Sequence, residues 1–322
     1  MFLVPFMAAR IIFNLLQVLV VMAFSPLLAG VISRLKEIVQ SKRGPSIFQP
    51  YRDIWKLFHK DEVISDYSSW IFRFTPYIVF VVPIFVATLI PVLTSYPLFF
   101  AFMGDMLGGG FVLALGGFFA TLAAVDTANP YGPMGASRTR LVGFLAEPVF
   151  MIVFFTVSFV AGSTIPYIVQ QRWVRPLSNF FEPAHVLIML AFFILILAEG
   201  GRIPVDNPSG HFELAMIDES KGLEYSGPAA ALMKWGGEMK LFVLITIFLN
   251  VLVAPWGLAS TQALSDVLLA VPLVLLKIFV FVLALVAVES SLAKLRLFRI
   301  SEFLGVAFIT SVAAMITWLF TQ

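Results

Sequence analysis

The chain has no cysteine, and charged residues make up only 12% of its 322 positions. The lack of thiols excludes disulfides, thiol redox chemistry and thiolate ligation of an iron–sulfur cluster or a zinc ion. We therefore expect no cofactor in this chain, and any redox centre of a complex that contains it would lie on another subunit. The net charge of +2 is too small to indicate nucleic-acid binding.

Apolar residues dominate instead, at 60% of the chain. Soluble domains use about 45–50% apolar and about 25% charged residues, so the composition predicts an all-α integral membrane protein. A bilayer core of about 30 Å requires about 20 apolar residues per helix, and eight stretches of the chain qualify as predicted transmembrane helices. They are residues 11–32, 75–93, 107–125, 141–166, 183–200, 241–258, 267–288 and 303–320. The first lacks a small-residue cleavage site after it, which favours a helix over a signal peptide.

The basic residues predict how these helices are oriented. Alternate loops together hold 17 Lys and Arg residues, whereas the loops on the other side hold 3. Positive charge favours the cytoplasm, so both termini are predicted to lie outside. We expect one transmembrane domain over residues 1–322, with cytoplasmic loops that include residues 33–75 and 200–240.

The first long loop contains a predicted amphipathic helix, QPYRDIWKLFHK. Pro50 suits a first helical turn, and four apolar side chains, Tyr51, Ile54, Trp55 and Phe58, recur at helical spacing. A helix of this kind lies on the cytoplasmic membrane surface. We favour a membrane anchor over direct contact with a ligand, because such helices are common beside spans.

Ionisable residues inside predicted spans are candidates for function, since each costs at least about 2.5–3.5 kcal/mol at mid-bilayer. Lys277 lies in the middle of the seventh span, so either it pairs with a carboxylate of another helix or it titrates. Glu289 is excluded as that partner because twelve residues along one helix span about 18 Å, whereas Glu147 is a candidate. Pro148 follows Glu147 and removes a backbone donor, which opens a polar pocket.

Other carboxylates lie near the predicted cytoplasmic ends of spans. Asp126, Glu199, Glu238 and Glu289 are either functional or hydrated interfacial charges, and both interpretations stay open at this point. The segment 198–227 also packs six of the nineteen carboxylates of the chain into thirty residues.

Motifs of independent catalysis are missing. The three histidines, His59, His185 and His211, are separated in depth, which disfavours haem. No nucleophile elbow, P-loop or HExxH occurs in the sequence. A catalytic centre within this chain is therefore not expected.

Five motifs, in order, carry a resemblance to a known family. They are KRGPSIFQPYRDIWKLF at 42–58, DTANPYGPMGASR at 126–138 with AEP at 146–148, EGGRIPVDNPSGHFEL at 199–214, KWGGEMK at 234–240 and LK at 276–277. The chain resembles the membrane subunit of respiratory complex I that adjoins the quinone chamber, the subunit 1 family. It resembles more closely the counterpart in membrane-bound NiFe hydrogenases of the formate hydrogenlyase and energy-converting type.

Two departures from the complex I pattern favour the hydrogenase branch. The glycine-rich insertion beside the quinone chamber is absent, since Gly44-Pro45 is followed after three residues by Gln49. In the acidic loop, Ser209 and His211 occupy positions that carry glutamate in the family, which leaves Glu213. A quinone site is therefore less expected than in complex I.

The resemblance implies a membrane-anchoring subunit that couples electron transfer to H⁺ or Na⁺ translocation. It also implies that the bilayer is the cytoplasmic (inner) membrane of a bacterium or archaeon. The implied partners are the hydrogenase large and small subunits, iron–sulfur subunits and antiporter-like membrane subunits, with the NiFe centre and clusters on those partners. The implied ion-coupling residues are Asp126, Glu147, Glu199, Asp206, Glu213, Asp218, Glu219, Glu238, Lys277 and Glu289. The implied partner-docking residues are Arg43, Pro45, Gln49, Arg52, Asp53, Lys56, Arg138 and Arg202.

Three other functions remain open from the sequence. The chain can be the quinone-chamber subunit of a complex I-like NADH/quinone oxidoreductase. It can be a stand-alone secondary transporter, which Lys277 and the proline-interrupted spans would suit. It can also hold an electron-transfer arm on the membrane without moving ions.

Overall fold

The structure, a computed structural model, describes residues 3–127, 129–174, 181–206, 217 and 219–321. Helices account for almost all of the regular structure in these ranges. The α-helices are α1 (Leu3–Val39), α2 (Gln49–Phe58), α3 (Trp70–Leu89), α4 (Met106–Val125), α5 (Tyr131–Ala161), α6 (Pro166–Val174), α7 (Pro183–Glu199), α8 (Gly227–Ile247), α9 (Leu264–Ser291) and α10 (Ile300–Thr321). A π-helix, Phe248–Val253, continues α8.

The predicted all-α membrane fold is confirmed. Within the described residues, seven helices are long and apolar enough to cross a bilayer, and α7 is a shorter apolar helix of 17 residues. These eight elements match the eight predicted spans. Several boundaries differ: α5 begins at Tyr131 rather than 141, and α8 begins at Gly227 rather than 241. Polar residues that we expected in loops therefore lie on helices, where tertiary contacts hold them.

The helices form one bundle. Consecutive helices α3, α4 and α5 are neighbours, while α8 packs against both α1 and α3. The last helix, α10, returns to pack against α5 and α7, and α9 lies beside α1. Gly236 shows how close the approach of α8 to α3 is, because a Cβ there would lie 2.6 Å from the carbonyl oxygen of Val79.

The two ends of the bundle differ in chemistry. At one end, which we call the polar face, α4 and α7 end and α5 and α8 begin, together with α2 and the turn 200–206. At the opposite face, backbone bonds join Ser95 to Ala259 and Met106 to Thr164. Most of the ion pairs described below lie at the polar face, which is where we predicted the cytoplasmic loops.

Helix α2 is attached to the polar face, as the amphipathic pattern predicts. Ile54 is its buried residue, and the helix packs against α1 and α8. The side chain of Asp53 accepts hydrogen bonds from Gln49 at 2.7 Å and from Lys234 on α8 at 2.9 Å. Trp55 stays 69% exposed and packs against His59 with ring centroids 4.5 Å apart and the two ring planes tilted by 40°. Part of the predicted apolar face therefore remains uncovered by this chain.

Candidate functional site

A cavity of about 870 Å³, its open mouth included, lies between α4, α5, α7 and α8. Charged side chains of both signs line the part of the cavity nearest the polar face. They are Arg140, Glu147, Glu199, Asp206, Lys221 and Lys240. Deeper in the bundle the walls become apolar, with Leu113, Phe150 and Leu244 among them. The cavity thus brings titratable groups from five segments of the chain to one apolar chamber.

Each carboxylate of the cavity has a cationic partner. Glu199 lies 2.6 Å from Lys240 Nζ, and Glu147 lies 3.4 Å from Arg140 on the same helix. The Glu147 side chain is 40% exposed, so its contact with Arg140 is a loose one. Glu147 and Glu199, which the sequence analysis named as ion-coupling residues, thus both line the cavity, and their role in coupling stays a prediction.

Asp206 is the buried carboxylate of the cavity wall, with only 3% of its surface exposed. Its Oδ2 accepts a hydrogen bond from the backbone N–H of Ile217 at 2.9 Å. Its Oδ1 accepts one from Lys294 Nζ at 3.2 Å. Since Lys294 follows α9, this pair ties the cavity wall to the far end of the chain.

A second charged group, which we call the Glu289 cluster, lies beside the cavity and consists of Glu289, Lys36 and Arg202. Glu289 on α9 has a side chain without solvent exposure, and Lys36 Nζ on α1 lies 2.6 Å from it. Arg202 Nε lies 3.9 Å from the other carboxylate oxygen. Our alternative interpretation of Glu289 as a hydrated interfacial charge is therefore wrong, because the end of α1 and the turn after α7 cover it.

The turn from Gly200 to Asp206 connects the cavity wall to the cluster around Glu289. Gly201 lines the cavity and adopts a φ of 58°, a conformation that favours glycine. The next residue, Arg202, contacts Glu289. The turn is held by bonds from Arg202 N to Leu197 O and from Leu295 N to Pro204 O, both at 2.9 Å. A displacement of this turn would therefore change the surroundings of the cavity carboxylates and of Glu289.

Lys277 lies apart from the cavity carboxylates and from Glu289. Of the two alternatives for this residue, pairing with a carboxylate such as Glu147 is wrong for the described residues, because its partners there are neutral oxygens. Its ammonium group donates hydrogen bonds to Asn250 Oδ1 at 2.7 Å, Trp256 O at 2.9 Å and Ala254 O at 3.1 Å. These oxygens belong to the π-helix and the loop after it. Helix α8 is interrupted there, so its free carbonyl groups can receive a cation.

Two further predicted coupling residues have local partners. Asp126 accepts a hydrogen bond from the backbone N–H of Ser69, the N-cap of α3, at 2.7 Å, and it is not among the cavity-lining residues. Glu238 lies on α8 near Tyr51 of α2. Burial raises the pKa of the Tyr51 hydroxyl, and the negative charge of Glu238 adds to that shift. Glu213 and Asp218, and the side chain of Glu219, lie outside the described residues.

Some of the predicted docking residues are exposed, and the others contact side chains of this chain. Arg43, Pro45, Arg52 and Lys56 are exposed around α2. Gln49 and Asp53 instead fasten α2 to α8. Burial acts to raise the pKa of the Asp53 carboxyl, but the hydrogen bond and charge of Lys234 outweigh it and hold that pKa below its usual range. Arg138 is half-buried near the start of α5, and Arg202 belongs to the Glu289 cluster.

Sequence reasoning missed most of the cations that pair with these carboxylates. Lys36, Arg140 and Lys294 entered the sequence analysis only as indicators of topology, and Lys240 only as part of that count and of a family motif. Asn250 was also missed, although it is the only amide side chain in the predicted span 241–258. An amide within an apolar run is costly to bury without a partner, and that signal pointed to the Lys277 contact.

Comparison with known proteins decides the family. Residues 11–320 match the NADH dehydrogenase family. The chain belongs to that family. Formate hydrogenlyase subunit 4 of Escherichia coli (strain K12) is 35% identical over 289 residues, which cover 89% of this chain and 92% of that protein. Hydrogenase-4 component C of the same strain is 34% identical over 315 residues, 96% of each.

A solved structure shares the fold. A chain of the membrane-bound sulfane sulfur reductase, an archaeal respiratory membrane complex, matches with a TM-score of 0.79 at 19% identity, covering 95% of this chain and 99% of that one. The resemblance predicted from five motifs is thereby confirmed as membership of the NADH dehydrogenase family. The chain is a multi-span membrane protein that is similar to subunits of hydrogenase complexes.

Proposed function

We propose that this chain is the membrane-anchoring and ion-coupling subunit of a multi-subunit hydrogenase complex. In this proposal the polar face lies toward the cytoplasm, both termini lie outside, and an iron–sulfur arm of the hydrogenase docks on the polar face. The small and large hydrogenase subunits and antiporter-like membrane subunits complete the complex. The similarity to two hydrogenase-complex subunits over 89% and 96% of the chain supports the choice of complex.

The observation that carries the coupling function is the charged cavity beside the buried Glu289 cluster. A change in charge on a docked partner would act on Glu199 and Asp206 at the polar face, and would shift the balance between them and their cations. The Gly200–Asp206 turn would pass that change to Arg202 and Glu289. In this proposal the chain acts through ion pairs that can rearrange, and not through a redox group.

The identity of the complex is tested by purifying the chain in a mild detergent with its native partners. Nickel in near-equal amount with the chain, together with iron and hydrogenase peptides in mass spectrometry, is the expected result. Iron without nickel, accompanied by flavin or quinone, would instead support the complex I-like alternative. A chain that purifies without metal or partner, and that moves a solute when reconstituted alone, would overturn the proposal in favour of a transporter.

A further inference from the structure

A basic segment follows the first membrane-spanning helix. Residues 33–60 contain seven Lys and Arg residues but only two carboxylates. One of the cations, Lys36, belongs to the Glu289 cluster, and one of the carboxylates, Asp53, is paired with Lys234. The other six cations are exposed: Arg34, Lys42, Arg43, Arg52, Lys56 and Lys60. The end of α1, the turn after it and α2 therefore present a strongly positive surface.

Aromatic side chains alternate with these cations on the outer side of α2. Phe48 and Trp55 are separated by about two helical turns, so both lie on one side of the helix, and they are 58% and 69% exposed. Arg52 lies between them in the sequence, and Lys56 follows Arg52 by one turn, which places both cations beside the rings. Ile54 is buried on the inner side. The outer side of α2 thus combines apolar rings with positive charge.

Contacts with α1 place α2 at the depth of the membrane boundary. A Cβ on Gly30 would overlap the carbonyl oxygen of Ile47, so the start of α2 lies directly against this part of α1. The Tyr51 hydroxyl donates a hydrogen bond to Ala23 O. Gly30 and Ala23 both belong to the predicted span 11–32, near its polar-face end. Helix α2 therefore lies beside the last turns of a membrane-spanning helix and does not stand clear of the bilayer.

Anionic lipid matches both the charge and the apolar part of this surface. Tryptophan is favoured at the membrane–water interface, where its ring meets the acyl boundary. Clusters of Lys and Arg on an amphipathic helix attract anionic lipids, and each cation near the membrane surface adds to the binding. Both side chains bind phosphate oxygens through charge-assisted hydrogen bonds. A soluble acidic protein would match the cations, but it would not cover apolar rings at the depth of the lipid headgroups.

We propose that the outer side of α2 and the turn before it bind the headgroups of anionic phospholipids in the adjacent leaflet. Arg43, Arg52 and Lys56 contact the lipid phosphates, while Phe48 and Trp55 lie at the acyl boundary. These three cations, which the resemblance assigned to partner docking, then face lipid and not a protein subunit. The inference goes beyond the proposed function, because it does not depend on which complex contains the chain.

The lipid dependence of α2 tests the site in the intact complex. The complex is purified in a mild detergent and placed in nanodiscs of phosphatidylcholine, either alone or mixed with anionic phosphatidylglycerol. Hydrogen–deuterium exchange of peptides from α2 is then measured by mass spectrometry. We expect severalfold slower exchange in the anionic discs, and a smaller difference at high salt, because salt screens exposed charges. Equal exchange in the two lipids at low salt would overturn the proposal.

Charge removal locates the site on α2. Arg52→Gln combined with Lys56→Gln should remove most of the difference in exchange between the two lipids. The matched control is Arg296→Gln combined with Arg299→Gln, which removes the same number of exposed cations outside α2. This control should keep the difference. An equal loss in both double variants would overturn the site, because it would show a general response to the net charge of the chain.

A protein partner on the outer side of α2 would give a different result. The helix would then be protected in the detergent-purified complex before any lipid is added, and its exchange would not change between the two lipids. That outcome would overturn the lipid assignment. The assay needs neither turnover nor metal, so it is independent of hydrogen evolution and ion transport. Its failure would leave the proposed function intact, and a failure of the proposed function would leave the lipid site intact.

Discussion

Glu289 shows at the scale of single residues how a membrane protein keeps a carboxylate away from water. Its side chain is covered completely and contacts Lys36 at 2.6 Å and Arg202 at 3.9 Å. Burial of one charge is costly, and burial with two opposite charges offsets that cost only while all the groups remain. The cluster therefore joins α1, α9 and the turn after α7 through a balance of charge.

Removing the negative charge should unbalance this cluster. Glu289→Gln removes the carboxylate that Lys36 contacts at 2.6 Å, and breaking a buried ion pair costs about 3–5 kcal/mol. We expect a lower thermal unfolding midpoint of the detergent-solubilised complex. Lys36→Met added to Glu289→Gln should recover part of the loss, because the buried cation that lost its carboxylate partner is then gone. Equal midpoints for Glu289→Gln and the unmodified protein would show that the pairs contribute no stability.

At the scale of elements, Lys277 donates hydrogen bonds to oxygens at the point where α8 is interrupted. The π-helix Phe248–Val253 ends inside the bundle, and Asn250 Nδ2 donates to the carbonyl groups of Pro91 and Val92 at 3.0 Å. On the other side of the same residue, Asn250 Oδ1 accepts from Lys277. The Asn250 side chain thus joins the end of α3 to α9.

Lys277→Met should loosen the loop after the π-helix, because the carbonyl groups of Ala254 and Trp256 lose their common donor. We expect faster hydrogen–deuterium exchange of peptides covering residues 254–263, measured by mass spectrometry in detergent. Lys42→Met is the control, since Lys42 is exposed and its side chain donates to Gln40. Unchanged exchange in this loop would mean that Lys277 does not hold it.

The attachment of α2 should depend on pH through Asp53. Its pKa is lowered in the folded protein, so the contact with Lys234 stabilises the fold above the unfolded-state pKa of about 3.9 and is lost as the pH falls through the lower folded value. Because both side chains are more than a third exposed, we expect only about 0.2–1 kcal/mol. Exchange of α2 amides measured against pH should rise in this acidic range, and Asp53→Asn should remove the dependence.

The same elements show what a sequence can and cannot reveal. The spans followed from hydropathy because every apolar run of membrane-spanning length had to be covered by lipid or protein. The charge partners did not follow, since Lys36 and Glu289 are 253 positions apart and only the packing of α9 on α1 brings them together. Lys277 was recognised as a special residue, but its acceptors are backbone carbonyl groups created by a π-helix that periodicity did not indicate.

At the scale of the whole molecule, the fold places its charged groups at one end and the apolar part of the cavity behind them. The polar face holds α2, the cavity mouth and the Glu289 cluster, where an electron-transferring partner would dock. The cavity leads from this face into the bundle along α4. An anchor without a coupling function would need only the docking surface, so the cavity carboxylates are what separate the two functions experimentally.

The most direct test of coupling is the number of ions moved per hydrogen released, measured in vesicles containing the complete complex. We predict that Glu147→Gln and Glu199→Gln lower this ratio severalfold while hydrogen evolution in detergent stays near that of the unmodified complex. Glu62→Gln, which changes an exposed carboxylate outside the cavity, should leave the ratio unchanged. An unchanged ratio in both cavity variants would contradict an ion-coupling role for this chain and leave it as an anchor.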